Sequence, residues 1–160
     1  MKRVYVNEKV CIGCHLCEVY CQLQHAGTRD LVKAFKQGER PLPRLRLDEK
    51  GMVSLSVRCQ HCDDAPCVQA CLTGALSRDP VTGVTTVDEV RCIGCGTCML
   101  VCPLGAIQLD KGNKKALKCD LCQGEEVPAC VANCPNEALV FVEEDVRAAG
   151  FDTPSAARLK

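Results

Sequence analysis

The stretch Cys92-Ile93-Gly94-Cys95-Gly96-Thr97-Cys98-Met99-Leu100-Val101-Cys102-Pro103 constrains this chain more than any other. Its spacing, C-x2-C-x2-C-x3-C-P, is the one in which three thiolates hold three corners of a 4Fe-4S cubane and the fourth Cys ligates a neighbouring cluster. A tight loop, with Gly94 and Gly96 free to take positive φ, gathers three sulfurs and several backbone N–H groups around one inorganic core. Pro103 is then expected to start a short helix. A zinc site would want two C-x2-C pairs separated by a longer knuckle, and a third Cys so close is surplus to it.

Sixteen cysteines in 160 residues leave a disulfide scaffold or a metal scaffold as the explanation. Cys pairs two residues apart recur throughout, and such neighbours are poorly placed to bridge one another and well placed to share a metal. With 3% aromatic residues and no Trp, a large apolar core is not expected. The first residues, Met1 to Glu8, hold no apolar h-region and no twin-arginine motif, so the reading is a cytoplasmic chain. Lys plus Arg and Asp plus Glu balance at 20 each. Four oxidised clusters with their thiolates would add roughly −8, which argues against nucleic-acid binding. No apolar run is long enough to span a membrane.

In chain order, Arg3 to Val6 reads as a strand leading into Cys11-x2-Cys14-x2-Cys17-x3-Cys21, with Gln22 where Pro would stand. From Gln22 to Arg58 no Cys occurs, and the Arg/Leu alternation after Pro41 and Pro43 reads as a strand with one wet face, a cover over a cluster or a docking surface. The second group is Cys59-x2-Cys62-x4-Cys67-x3-Cys71. Its His61 reads as a donor to sulfur or a surface residue, and His15 and His25 likewise are not read as ligands. Asp79-Pro80-Val81-Thr82-Gly83 marks a hairpin turn between Ala75-Leu76 and Val84 to Val87. After the third group comes a polar turn from Asp110 to Lys115, then Ala116-Leu117-Lys118, whose lysines read as a solvated turn or a partner patch. The fourth group is Cys119-x2-Cys122-x7-Cys130-x3-Cys134, followed by the strand-like Leu139 to Val142. The tail 143–160 is polar and reads either as a partner-bound helix or as a frayed terminus.

Three groups close alike: Cys71-Leu72-Thr73-Gly74-Ala75-Leu76, Cys102-Pro103-Leu104-Gly105-Ala106-Ile107 and Cys134-Pro135-Asn136-Glu137-Ala138-Leu139. This internal repeat places the last Cys at a helical turn, with a small Ala near the cubane and a Leu or Ile sealing the far side. Sixteen thiolates in four groups of four therefore read as four 4Fe-4S clusters.

On these residues the chain resembles the four-cluster ferredoxin-like subunits of anaerobic redox complexes. That family includes the iron-sulfur subunits of dimethyl sulfoxide reductase, formate dehydrogenase and formate hydrogenlyase, of tungsten aldehyde oxidoreductase complexes, and the ferredoxin-like partner of carbon monoxide dehydrogenase. The resemblance covers residues 3–142 and is most specific in Cys59-Gln60-His61-Cys62-x4-Cys67-x3-Cys71, the group that follows it, and Lys118-Cys119-Asp120-Leu121-Cys122. It implies an α+β fold of two ferredoxin-like lobes nested in sequence: 59–115 as one, 1–21 plus 116–142 as the other, 22–58 as a connecting insertion and 143–160 as a tail. It also implies the ligand sets Cys11, Cys14, Cys17 with Cys134; Cys59, Cys62, Cys67 with Cys102; Cys92, Cys95, Cys98 with Cys71; and Cys119, Cys122, Cys130 with Cys21. The strands at Val4 to Val6 and Leu139 to Val142 would find each other in a nested arrangement, while the spacer after Cys102 would equally suit a sequential one.

No catalytic residue is expected: the sequence holds no G-x-G-x-x-G, no phosphate-binding loop and no nucleophile placed with a base. The reading is an electron-transfer subunit between a catalytic oxidoreductase subunit and a second redox protein. The resemblance points to a carbon monoxide dehydrogenase, a formate dehydrogenase or hydrogenase, or an aldehyde oxidoreductase as the catalytic partner. The alternative is a free polyferredoxin-type carrier.

Overall fold

A computed structural model describes residues 1–28, 30–36 and 41–143. The elements run β1 (Arg3–Val6), α1 (Leu16–His25), α2 (Leu31–Lys36), β2 (Leu45–Lys50), β3 (Val53–Arg58), α3 (Pro66–Gln69), β4 (Leu76–Arg78), β5 (Thr85–Val87), α4 (Thr97–Leu100), β6 (Gln108–Leu109), β7 (Ala116–Leu117), α5 (Ala129–Ala132) and β8 (Leu139–Val142). This is the mixed helix and strand architecture expected, built from short pieces.

Among the described residues the strands form four separate two-stranded antiparallel sheets. β1 pairs with β8, with Val4 opposite Phe141 and Val6 opposite Leu139, so the two ends of the described fold are joined. β4 and β5 form the expected hairpin, its turn held by the Asp79 carboxylate accepting from the N–H groups of Val81 (2.7 Å) and Thr82 (2.9 Å). The alternating segment after Pro43 becomes β2, and Gly51 at φ 63 turns it back into β3. Isolated two-stranded sheets are marginal in water, so these sheets need something to fold around.

Each cysteine group carries one short helix across its C-x3-C spacer, which spans about one helical turn. α1, α3 and α4 are each entered through a left-handed residue, His15 (φ 58), Ala65 (φ 36) and Gly96 (φ 77). In the last three groups the helix thus lies before the last Cys, whereas α1 runs on through Cys21 to His25, and the expected helix starting at Pro103 is not formed. Gly105 takes the left-handed φ 56, which a helix cannot run through, and Cys102 to Gly105 closes instead as a turn, with Gly105 N–H donating to Cys102 O at 3.1 Å. The same turn follows Cys71 and Cys134. The repeat therefore closes on a non-helical turn, while its small and sealing residues are buried as expected: Ala75, Ala106 and Ala138, then Leu76, Ile107 and Leu139.

Buried apolar residues gather in two clusters. One holds Val4, Val6, Cys17, Cys21, Leu45, Val84, Cys119, Leu121, Cys130 and Leu139. The other holds Ala75, Leu76, Cys92, Cys98, Ile107 and Ala116, with Cys67, Cys71 and Cys102 against it. α1 packs on α5 beside the first, and α3 packs on α4 beside the second. No helix among the described residues is long and apolar enough to cross a membrane. Residues 144–160, which include nearly all of the polar tail, lie outside the described residues.

Candidate metal centres

None of the sixteen cysteines is paired in a disulfide. Two small pockets bring thiols of different runs together. Cys11, Cys14, Cys17 and Cys134 line one, walled by Ile12, Leu47, Pro135 and Leu139. Cys71, Cys92, Cys95 and Cys98 line another, walled by Ala75, Leu76, Val87 and Ala116. In each, three thiols come from one run and the fourth from a distant one.

Among the other eight cysteines, two have electrostatic neighbours drawn from several runs. Cys21 is acted on by Cys119, Cys130 and Cys122, and Cys67 by Cys59, Cys102 and Cys62. Among the described residues no three His, Cys, Asp or Glu side chains converge closely enough to share a single metal ion. Four thiolates are the donors that a 4Fe-4S cubane takes, and such a group would hold sulfurs apart that no single ion draws together.

Backbone N–H groups are aimed at the sulfurs. Arg44 donates to Cys21 Sγ at 3.2 Å, and His61, Ala106, Ala116 and Leu121 donate to Cys59, Cys102, Cys92 and Cys119 at 3.4 Å. Such bonds favour the ionised sulfur and help set a cluster's potential. Burial works the other way, pushing the Cys119 thiol up to about 12 and the Cys130 and Cys67 thiols up to about 11. Cys95 is held below its usual value by Thr97, whose hydroxyl lies 3.4 Å from its sulfur. Buried thiols of this kind ionise only when a cation takes the place of their protons, so metal loading and proton release are coupled.

The histidines differ from expectation in one case. His61 is fully buried, and it is its backbone N–H, with no contribution from the ring, that meets sulfur; the ring Nδ1 accepts from Thr85 N–H at 2.9 Å. Burial, aided by Lys118, pushes this imidazole down to about 3, so it is neutral. His15 pairs with Glu18 at 2.7 Å near the surface. His25 Nδ1 donates to Cys21 O at 2.7 Å and its Nε2 meets Asp120 at 3.3 Å, while Arg44 binds the same carboxylate. Burial opposes ionisation of Asp120, but His25 and Arg44 outweigh it and hold the carboxyl down to about 2.

The solvated turn expected around the lysines holds for Lys111 and Lys114 only. Lys118, read with those lysines as solvated or as a partner patch, is instead buried beside Thr85 and Cys119, and Arg58, which the sequence reading did not single out, is buried as well. The one signal was position, since each directly precedes the first Cys of its group.

Residues 51–144 match the family described as the 4Fe-4S dicluster domain. The chain belongs to that family. Over 160 aligned residues it is 39% identical to electron transport protein HydN of Escherichia coli K12, covering 89% of this chain and 88% of HydN. It is 42% identical to YsaA of the same organism over 132 residues, 81% and 82% of the two chains. It is 34% identical to a protein named iron-sulfur protein of Rhodospirillum rubrum over 158 residues, 89% and 82% of the two. Among solved structures, the active site complex BamBC of benzoyl coenzyme A reductase contains a chain alike in fold, with a TM-score of 0.51 and 23% identity over 90% of this chain and 78% of that one. 4Fe-4S chemistry and electron transport are thus the chemistry of this family.

Proposed function

We propose that the chain is an electron-transfer subunit with four 4Fe-4S clusters in two nested ferredoxin-like lobes, relaying single electrons between a catalytic oxidoreductase subunit and a second redox partner. The observation that carries it is the gathering of thiols from distant runs: Cys134 with Cys11, Cys14 and Cys17, and Cys71 with Cys92, Cys95 and Cys98. The electrostatic neighbours of Cys21 and Cys67 favour the sets Cys21, Cys119, Cys122, Cys130 and Cys59, Cys62, Cys67, Cys102. The pairing of β1 with β8 favours nested over sequential lobes.

When bound, each cluster supplies reversible one-electron storage. The residues of the chain set the path. Cys14 and Cys95 are the exposed thiols of the sixteen and belong to different groups, so they mark two ends. Between them Cys17 neighbours Cys130, and Cys119 neighbours Cys59. The order is therefore the Cys11 group, the Cys119 group, the Cys59 group and the Cys92 group. Apolar walls exclude water from the interior sulfurs, and the N–H groups stabilise negative charge there without moving a proton.

A carbon monoxide dehydrogenase, a formate dehydrogenase or hydrogenase, or an aldehyde oxidoreductase fits as the catalytic partner. Anaerobically prepared protein should hold about sixteen irons and sixteen labile sulfides, turn over no substrate alone, and accelerate electron transfer when its cytoplasmic oxidoreductase is added. Stoichiometric zinc would overturn the cluster reading. A chain that is always monomeric in native extract would replace the subunit with a free carrier.

A further inference from the structure

Arg58 and Lys118 are buried to 1% and 3% exposure, and among the described residues neither forms an ion pair with a carboxylate. Arg58 donates to Ser56 O at 3.2 Å and to Val4 O, and its Nε has no partner. Lys118 donates to Thr85 O and to Cys119 O, the latter at 2.8 Å. Asp120, two residues on, is already held by His25 and Arg44. A buried cation without an anion is strongly disfavoured, so something else in the molecule must supply the negative charge.

The two residues occupy equivalent places. Arg58 precedes Cys59 and reaches across to β1, and Lys118 precedes Cys119 and reaches across to β5. The groups surrounding Arg58 electrostatically are Cys130, Cys119, Cys17 and Cys59, and Lys118 acts on Cys67. At the corresponding position of the outer groups stand Val10 and Arg91, both exposed. A buried cation therefore precedes the first Cys of each inner group and of neither outer one, although Arg58 also faces Cys17 and the half-buried Lys115 donates to Cys92 O.

We propose that Arg58 and Lys118 are fixed counter-charges that raise the reduction potentials of the two inner clusters relative to the outer pair. The proposal rests on the four-cluster reading above. A cubane with four thiolates goes from about −2 to about −3 when a redox partner donates one electron. No bond forms or breaks and no proton moves, so the added charge must be met by groups already in place. In a low-dielectric interior a nearby cation favours the more negative form.

The test is a redox titration of the anaerobic holoprotein followed by low-temperature EPR, with the inner signals assigned through Cys62→Ser and Cys122→Ser. Arg58→Gln and Lys118→Gln should each weaken electron uptake by an inner cluster at least tenfold, about 59 mV for a one-electron couple. Arg58→Lys and Lys118→Arg should shift it less than threefold, and Arg91→Gln should shift nothing. Neutral variants with full iron content and unmoved inner potentials would overturn the proposal, as would an equal shift of all four clusters. Should the neutral variants fail to load iron, the charge-keeping variants decide: loading at wild-type potentials supports a role for charge, and failure to load assigns both residues to shape alone. A wild-type iron content far below sixteen per chain would instead sink the four-cluster reading, a separate result.

Discussion

Gly94 lies against the backbone of Lys114 so closely that a Cβ at 94 would stand 2.0 Å from the Lys114 carbonyl oxygen. Gly94 also sits at φ 68 inside the loop that carries Cys92 and Cys95. Gly94→Ala should therefore displace the loop itself, adding a steric clash to a strained conformation of about 1–3 kcal/mol, and should lose the iron held by the Cys92 group. Gly96, at φ 77, meets nothing within 4 Å, and His15 already takes φ 58 at the matching place in the first group. Gly96→Ala should keep full iron content and cost only the strain, about 1–2 kcal/mol. Iron analysis and thermal melting of both variants check the contrast; equal damage from the two would show that the contact with Lys114 does not matter.

Cys17 and Cys21 lie one turn apart on α1, both buried, yet Cys17 shares a pocket with Cys11, Cys14 and Cys134 while Cys21 has Cys119, Cys130 and Cys122 as its electrostatic neighbours. Cys21→Ser should damage the centre of Cys119, Cys122 and Cys130, almost a hundred residues away, and leave that of Cys11, Cys14 and Cys17 intact. Mössbauer or EPR spectra of the variant should show one altered cluster of four. If the lesion instead mapped to the centre of Cys59, Cys62 and Cys67, the lobes would be sequential and the nested arrangement wrong.

The lining of two pockets by three thiols of one run was legible in the sequence because the spacing of a run is local: C-x2-C-x2-C brings three thiols together. The joining of β1 to β8 was likewise foreshadowed by the alternation at Arg3 to Val6 and the apolar run Leu139 to Val142. Arg58, Lys118 and His61 could not be read in the same way. Charged and imidazole side chains are mostly exposed, and only the junction of distant segments, Val4 and Thr85 among them, buries these three. The helix expected after Pro103 is absent because Gly105 takes the left-handed φ 56, as Gly74 (φ 61) and Glu137 (φ 51) do at the matching places, and a left-handed residue ends a helix there whether Pro or Leu follows the Cys.

Removal of iron should unfold the chain. Its four sheets have two strands each, and much of both apolar clusters consists of cysteines, so without metal the remaining apolar surface is small. A chelator should abolish the far-ultraviolet circular dichroism signal cooperatively with the loss of cluster absorbance. A stripped protein with native dichroism would show that the sheets stand without their centres.

The order of the centres has its own signature. If the Cys119 group lies between the Cys11 group and the Cys59 group, as the neighbours of Cys130 and Cys119 indicate, its loss isolates the Cys11 centre from the rest. Magnetic coupling between reduced clusters broadens their EPR signals and falls steeply with distance. Cys122→Ser should therefore produce one narrow, uncoupled signal in the fully reduced protein beside a coupled pair. Cys95→Ser removes an end of the series and should leave three clusters still coupled to one another. An uncoupled signal in the Cys95 variant and none in the Cys122 variant would place the Cys92 group inside the series, and the path from the Cys14 edge to the Cys95 edge would have to be redrawn.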